Sequence, residues 1–278
     1  MLCTALETAY LALINGFYCM NLVSFDPLSD PILFAVFAFG VTFSGISKGG
    51  FGSAAAFVPA ALLASFIEPM AAMSLMLPLL MVMDIGSLKP YWRRWMAIET
   101  RVLCLGAVPG VILGVLLFQM TNANNLRFVI GAICLAFVLW QTLPQLKKHA
   151  LHRSALSKHW GMGLGALAGF TSFVSHAGGP AAAVYLLSQR PNKTEYQATT
   201  VIVFWIINIA KAVPYAFLGL FSLETLSLSL LFAPFALIGV YLGVKWHFLI
   251  SERVFFALTY GLLLCTGLRL ISVSISGS

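Results

Sequence analysis

Charge is scarce in this sequence. Of 278 residues only 9% are charged, while 60% are hydrophobic; an ordinary soluble domain carries about 25% charged residues. No water-soluble fold of this length has an interior large enough for so much apolar side chain, so that class is excluded. The alternation of apolar and polar residues that marks a membrane β-barrel strand is missing too. The apolar runs are continuous and helix-length, which leaves α-helices as the way to satisfy the backbone in lipid. The five cysteines (Cys3, Cys19, Cys104, Cys134 and Cys265) show no C-x-x-C spacing. An odd count without pairing logic argues against a disulfide framework or a metal site. There is no GxxxxGK[ST] motif, so direct ATP drive is not expected. No cofactor or metal is expected, and the net charge of +7 is explained by basic loops rather than by nucleic acid.

What is present is a succession of apolar segments. Glu7 to Phe25 has no Lys or Arg before it and therefore lacks the basic start of a secretory signal. It reads as a retained first helix, closed by the turn Asp26–Pro31. Ile32 to Ser47 runs into the glycine-rich stretch Gly45–Gly52, and a short segment, Gly52 to Phe66, follows. At about 1.5 Å per residue that segment reaches little more than about 20 Å, short of a hydrocarbon core of roughly 30 Å. Met70–Leu88, Val102–Met120 and Leu126–Leu143 are long enough to span. After the basic stretch Gln145–His159 the order returns: Trp160–Ser175, a break at Val174–Pro180, a short Ala181–Ser188, then Tyr196–Phe221, Leu226–Trp246 and Val254–Ile271.

The return is visible residue by residue. Gly40, Thr42, Gly49 and Gly50 recur as Gly169, Thr171, Gly178 and Gly179 at an offset of 129, which maps Ser47 onto His176 and Lys48 onto Ala177. Asp84-Ile85 and Pro90-Tyr91 recur as Asn208-Ile209 and Pro214-Tyr215 at 124, and Gly110–Gly114 recurs as Gly239–Gly243 at 129. With three full spans per copy, an odd number, successive copies insert in opposite senses. The expected fold is an all-α polytopic membrane protein with two inverted-topology repeats. Each repeat contains a broken or re-entrant short helix pair plus three transmembrane helices. The boundaries are 1–29 for the N-terminal helix and turn, 30–144 for the first repeat, 145–159 for the linker, 160–272 for the second repeat and 273–278 for a polar tail. With the linker cytoplasmic, twelve of the sixteen Lys and Arg fall on that side. These are Lys89, Arg93, Arg94, Arg101, Lys147, Lys148, Arg153, Lys158, Arg190, Lys193, Lys245 and Arg253. The positive-inside rule selects this orientation.

Lys48 and Lys211 remain at membrane depth. A lysine there costs about 2.5–3.5 kcal/mol on insertion scales and requires a partner. Lys48 either snorkels to an interface or neutralises an anion. Adjacent glycine N–H groups and a helix restarting at Gly52 favour the anion. The expected substrate bed is Ser47, Lys48, Gly49 and Gly50 from the first break, with Ser175, His176, Gly178 and Gly179 from the second. Asp84, Asn208 and Lys211 form a second group, expected to hold a charge pair of Asp84 with Lys211, either structural or proton-coupling. The GxxxG spacings Gly110/Gly114 and Gly239/Gly243 read as close helix packing.

The paired breaks (Gly49-Gly50 and Gly178-Gly179-Pro180), the Pro90-Tyr91/Pro214-Tyr215 match and the basic central linker give residues 30–272 a resemblance to the TauE/SafE (sulfite exporter, TSUP) family of membrane permeases. That resemblance implies a carrier of sulfite, sulfoacetate or related small organic anions in the bacterial inner membrane. Protons are a candidate coupling ion, and a homo-oligomer is compatible with the reading. Two alternatives share the pattern. One is an anion channel of the same topology. The other is an intramembrane serine hydrolase pairing Ser47 with His176, for which no acidic orienter accompanies the histidine.

Overall fold

The computed structural model describes residues 31–52, 56–64, 67–119, 122–142, 155–247 and 252–276. They form ten helices: α1 (Pro31–Gly50), α2 (Val58–Ala64), α3 (Pro69–Leu88), α4 (Ala97–Gln119), α5 (Ala123–Thr142), α6 (Lys158–Ser175), α7 (Gly179–Ser188), α8 (Lys193–Phe217), α9 (Leu223–Trp246) and α10 (Glu252–Ser276). Among the described residues there is no strand. The expected helix at 7–25 and most of the basic linker lie outside the described residues.

Four of these helices, α3, α4, α8 and α9, are long and apolar enough to cross a membrane. Together with the shorter apolar helices they make the chain a multi-pass membrane protein. Each of the four carries an internal proline: Pro78, Pro109, Pro214 and Pro234. Such a proline leaves one carbonyl without its intrahelical donor, which bundled membrane helices tolerate by supplying partners from neighbours. Polar signals set the helix starts. Asn192 accepts from the N–H of Glu195 at 2.9 Å, and Glu195 returns the bond to the N–H of Asn192 at 3.0 Å, a reciprocal cap that opens α8.

Several boundaries differ from the sequence reading; the short helix, for one, starts at Val58 rather than Gly52, and two others bear on the packing. α1 does not stop at Ser47 but continues to Gly50, because its last glycines are packed helix rather than turn. α10 continues to Ser276, into the expected polar tail. Serine fits there because its hydroxyl finds carbonyls: Ser272 Oγ donates to Arg269 O and Ser274 Oγ to Asn124 O, each at 2.8 Å.

The helices pack in crossed partnerships. α9 lies along α1, α6 along α4 and α10 along α5; α3 touches α9 and α8 touches α4, and α3 meets α8 at the centre. Absent side chains permit the first two contacts. A Cβ on Gly45 would lie 2.6 Å from the Ala236 carbonyl oxygen, and one on Gly165 would lie 2.6 Å from that of Leu103. Gly239 and Gly243 face α1, while Gly110 faces α6 and Gly114 faces Phe173, so the GxxxG pairs are helix seams as expected. On α4, the stripe Leu105, Val108, Ile112 and Leu116 is more than half exposed. A leucine-rich exposed stripe on such a helix suits lipid rather than water.

Candidate functional site

The two short-helix junctions and the paired central helices meet in a polar cluster that is closed to solvent. Lys48 is 2% exposed, His176 6%, and Asp84 and Lys211 are fully buried.

The end of α1 illustrates how the first junction is built. A helix leaves its last four carbonyls without intrahelical donors, and here each finds one. Phe51 N–H donates to Ser47 O (2.8 Å), Gln197 Nε2 to Lys48 O (2.5 Å), Tyr91 Oη to Gly49 O (2.7 Å) and His247 Nδ1 to Gly50 O (2.7 Å). Gln197, buried on α8, also accepts from the N–H of Gly52 at 2.5 Å. Gly52 turns the chain with φ of 78°, a left-handed conformation open to glycine. Tyr91 lies beyond the end of α3, where burial pushes its phenol upward and keeps it a donor.

From this helix end the Lys48 side chain reaches α3. Its Nζ lies 2.5 Å from Asp84 Oδ1 and donates to Leu80 O at 3.3 Å. The second carboxylate oxygen, Oδ2, accepts from Asn208 Nδ2 of α8 at 2.6 Å. Both oxygens of Asp84 are therefore engaged, one by an ammonium and one by an amide.

A second group surrounds Lys211, one turn beyond Asn208 on α8. Its Nζ donates to Ser172 O (3.0 Å), Ser172 Oγ (3.0 Å) and His176 Nδ1 (2.9 Å). Three acceptors match the three N–H bonds of an ammonium. An ammonium has no lone pair, so Nδ1 is the accepting nitrogen and His176 is the neutral tautomer with hydrogen on Nε2. That Nε2–H donates to Met73 O at 3.0 Å. Met73 precedes Pro78, which deprives the neighbouring Ser74 carbonyl of its helical donor and loosens α3 at this level. His176 itself ends α6 with φ of 57°. Its N–H returns to Ser172 O, and that of Ala177 to Thr171 O. Among the described residues no carboxylate lies within ion-pair distance of Lys211. The Lys48 and His176 anchor points on α3, Leu80 and Met73, are seven residues apart, about 10 Å along the helix.

Beside Lys211 begins α7. Gly178 and Gly179 are buried at its start, and the N–H groups of Gly178, Gly179 and Ala181 have no acceptor among the described residues. A Cβ on Gly178 would meet Ala168 O at 2.6 Å and Ser172 Cβ at 2.9 Å, so this helix start is seated directly on Ser172.

These contacts redistribute the residues expected from the sequence. The expected Asp84–Lys211 pair is replaced by Asp84 with Lys48, because Lys211 is drawn to the carbonyl end of α6. Lys48, expected as the anion's counter-charge, is already neutralised. Gly49 and Gly50, expected to offer N–H groups to an anion, lie within α1, where those groups serve the helix and the missing side chains admit α9. Ser175 turns its hydroxyl back to Thr171 O at 2.9 Å. Ser47 is fully buried on α1, and both ring nitrogens of His176 are held by partners other than Ser47, so the alternative Ser47–His176 pair is not formed here. His176 and Lys211 do come together, with Gly178 seated on Ser172 beside them, while Asn208 joins Asp84.

The sequence reading missed Ser172, Gln197 and His247. A single offset of 124 would have found two of them. Asp84 and Asn208 are 124 residues apart, and the same spacing relates Gly52 to His176, Lys48 to Ser172 and Met73 to Gln197. It also relates two matching bonds: Tyr91 Oη to Gly49 O and Tyr215 Oη to Phe173 O, at 2.7 and 2.8 Å. The geometry thus matches His176 with Gly52, not with Ser47 as the 129 offset implied. Both are left-handed residues whose junction is tied to the opposite half, one through Gln197 and one through Met73.

No curated protein and no solved structure matches the chain. The family model described as "Sulfite exporter TauE/SafE" matches residues 32–270, a span that contains every residue of the cluster just described. A multi-pass helical chain with that match over nearly its full length belongs to the sulfite exporter TauE/SafE family.

Proposed function

We propose that this chain is a secondary carrier of small anions of the sulfite or organosulfonate class, and that its substrate is held by Lys211, Ser172, His176 and the first turn of α7. One observation carries the reading: Lys211 is fully buried, is bonded to three neutral acceptors and has no carboxylate partner among the described residues. A lone buried ammonium is expensive in lipid, and a bound anion supplies the missing charge. Ser172 Oγ accepts from Lys211 and keeps its own hydrogen to donate. The N–H groups of Gly178, Gly179 and Ala181 add donors at the positive end of a helix.

The carrier works by alternating access between two inverted repeats, residues 30–144 and 160–272. The matched bonds 124 residues apart support that reading. So does the exchanged packing, in which α1 lies on α9 of the other half and α6 on α4. Burial of the whole cluster favours a carrier over a channel, which needs a continuous polar path. The excess of Lys and Arg in loops 89–101, 145–160, 190–195 and 245–253 supports an orientation with those loops on the cytoplasmic side of a bacterial inner membrane.

The test is sulfite counterflow into proteoliposomes. Wild type shows saturable counterflow, and Lys211→Met abolishes it while the protein still elutes as a monodisperse peak. Wild-type counterflow from Lys211→Met would refute the assignment of the site. Flux without saturation or counterflow would favour a pore.

A further inference from the structure

A separate basic cluster lies outside the buried residues, where α3 has ended and α8 begins. Arg93, Arg94, Trp95 and Met96 from the α3–α4 loop and residues 192–195 at the start of α8 line an open cavity of about 770 Å³, within the range of small-ligand sites. Arg93, Arg94 and Lys193 are exposed, and arginine stays protonated in any protein setting, so the charge of this cavity does not depend on burial. The carboxylate in its lining, Glu195, is turned to the N–H of Asn192, from which Oε2 accepts at 3.0 Å. Among the described residues neither arginine has an ion-pair partner. Arg93 adopts φ of 59° in a turn closed by the Arg94 N–H on Tyr91 O at 3.2 Å. That conformation is costly for a residue with a side chain and free for glycine, and strain of this kind collects at ligand clamps. The basic bias of cytoplasmic loops accounts for the presence of these cations. It does not account for their meeting around one cavity from two loops remote in sequence.

We propose that this cavity is the headgroup site of an anionic phospholipid: Arg93, Arg94 and Lys193 take the phosphate, and an acyl chain lies on the exposed face of α4. Guanidinium groups match phosphate oxygens with a planar fork, and lysine adds a point charge. Three observations favour a lipid over a soluble phosphate. First, α3, α4 and α8 are long and apolar enough to cross a membrane, so the cavity at their ends sits at headgroup level. Second, Trp92 is more than half exposed and packs edge-on against Trp95 of the cavity wall, with ring centroids 5.6 Å apart; tryptophan is enriched at the membrane interface. Third, α4 starts directly after Met96, and its Ile98, Leu105 and Ile112 are each more than half exposed. Spaced by seven, they share one helix face and form an apolar track from the cavity into the membrane. The same loop is tied to the transport core. Tyr91 Oη donates to Gly49 O at the end of α1 (2.7 Å), and the Met96 N–H donates to Thr199 Oγ1 of α8 (3.0 Å). A headgroup bridging Arg93 and Arg94 to Lys193 reinforces this contact between loop and helix, so bound lipid stabilises the fold.

Binding is measured on the purified full-length protein in detergent, by native mass spectrometry and by melting. The probes are phosphatidylglycerol, phosphatidylcholine (which has no net charge) and glycerol 3-phosphate as the soluble phosphate. Wild type is expected to bind phosphatidylglycerol at least about tenfold more tightly than phosphatidylcholine and to melt higher in its presence. Arg93→Gln/Arg94→Gln/Lys193→Gln is expected to lose that preference. Lys147→Gln/Lys148→Gln/Lys158→Gln, which removes the same charge from the basic stretch around the start of α6, is expected to keep it. Arg93→Gly separates loss of ligand from loss of fold. Glycine suits φ of 59°, so without lipid this variant melts no lower than wild type, yet its lipid-induced shift is smaller. Equal loss of preference in the two triple variants would reduce the effect to general surface charge and overturn the site. Glycerol 3-phosphate stabilising wild type as strongly as the lipid would overturn the lipid in favour of a soluble phosphate. Transport is not read in any arm, so these outcomes leave the anion-carrier proposal standing.

Discussion

Replacing Lys48 with methionine leaves the Asp84 carboxylate in the core without its counter-charge. Oδ1 loses the ammonium 2.5 Å away, and the Leu80 carbonyl loses its extra donor. Breaking a buried ion pair from one side costs about 3–5 kcal/mol. Asn208 still donates to Oδ2, and methionine nearly fills the volume, so the lower end, about 3 kcal/mol, applies here. On the scale of globular domains of this size, that lowers the melting temperature by about 6–12 °C. The double variant Lys48→Met/Asp84→Asn removes both charges, leaves an amide facing Asn208, and is expected to recover most of the loss, because an intact buried pair is worth little more than a neutral replacement. Melting followed by size-exclusion chromatography in detergent, on the two single variants and the double, measures the coupling between the residues directly. A Lys48→Met protein melting within about 2 °C of wild type, or a double variant no better than the worse single, would refute the pairing.

Two further outcomes follow from the helix packing. Gln197→Leu leaves the Lys48 carbonyl and the Gly52 N–H without their shared partner; at about 1–3 kcal/mol per unsatisfied buried group it lowers the melting temperature. It also accelerates amide exchange at Gly52, which hydrogen-exchange mass spectrometry over the 48–57 peptides reads. Gly45→Ala places a methyl group 2.6 Å from the Ala236 carbonyl oxygen and forces α1 from α9. It is expected to cost more than the about 1 kcal/mol that alanine gains over glycine in an open helix. Leu105→Ala, on the lipid-facing stripe, serves as the control that leaves melting unchanged.

The difference between these sites and the control also marks what could be read from the residues alone. Scarcity of charge and continuous apolar runs determined the class of protein, because lipid admits only closed backbone hydrogen bonding. Lys48, Asp84, Asn208 and Lys211 stood out for the same reason: a polar or charged group at membrane depth is costly wherever it ends up. The seams at Gly239 and Gly243 were legible because close approach is a local property of residue type, whereas the cap at Asn192 passed unread and the expected span starts at Tyr196.

Pairing was another matter. Which lysine neutralises Asp84 depends on where the ends of α1 and α6 arrive relative to α3 and α8, and the spacing along one chain does not encode that. Lys211 lies one turn from Asn208, the repeat partner of Asp84, yet the tertiary arrangement sends it to the carbonyls closing α6 and gives Asp84 to Lys48. The glycines of the first junction looked like an anion cradle and became a helix seam, because α9 occupies the space their missing side chains leave. Gln197 and His247 drew no notice as single polar residues at the ends of apolar spans. Only folding shows that they close the carbonyl end of a helix nearly 150 and 200 residues away. Residue type determined which groups must find partners in a low-dielectric interior; the register of helices remote in sequence decided which partners they found.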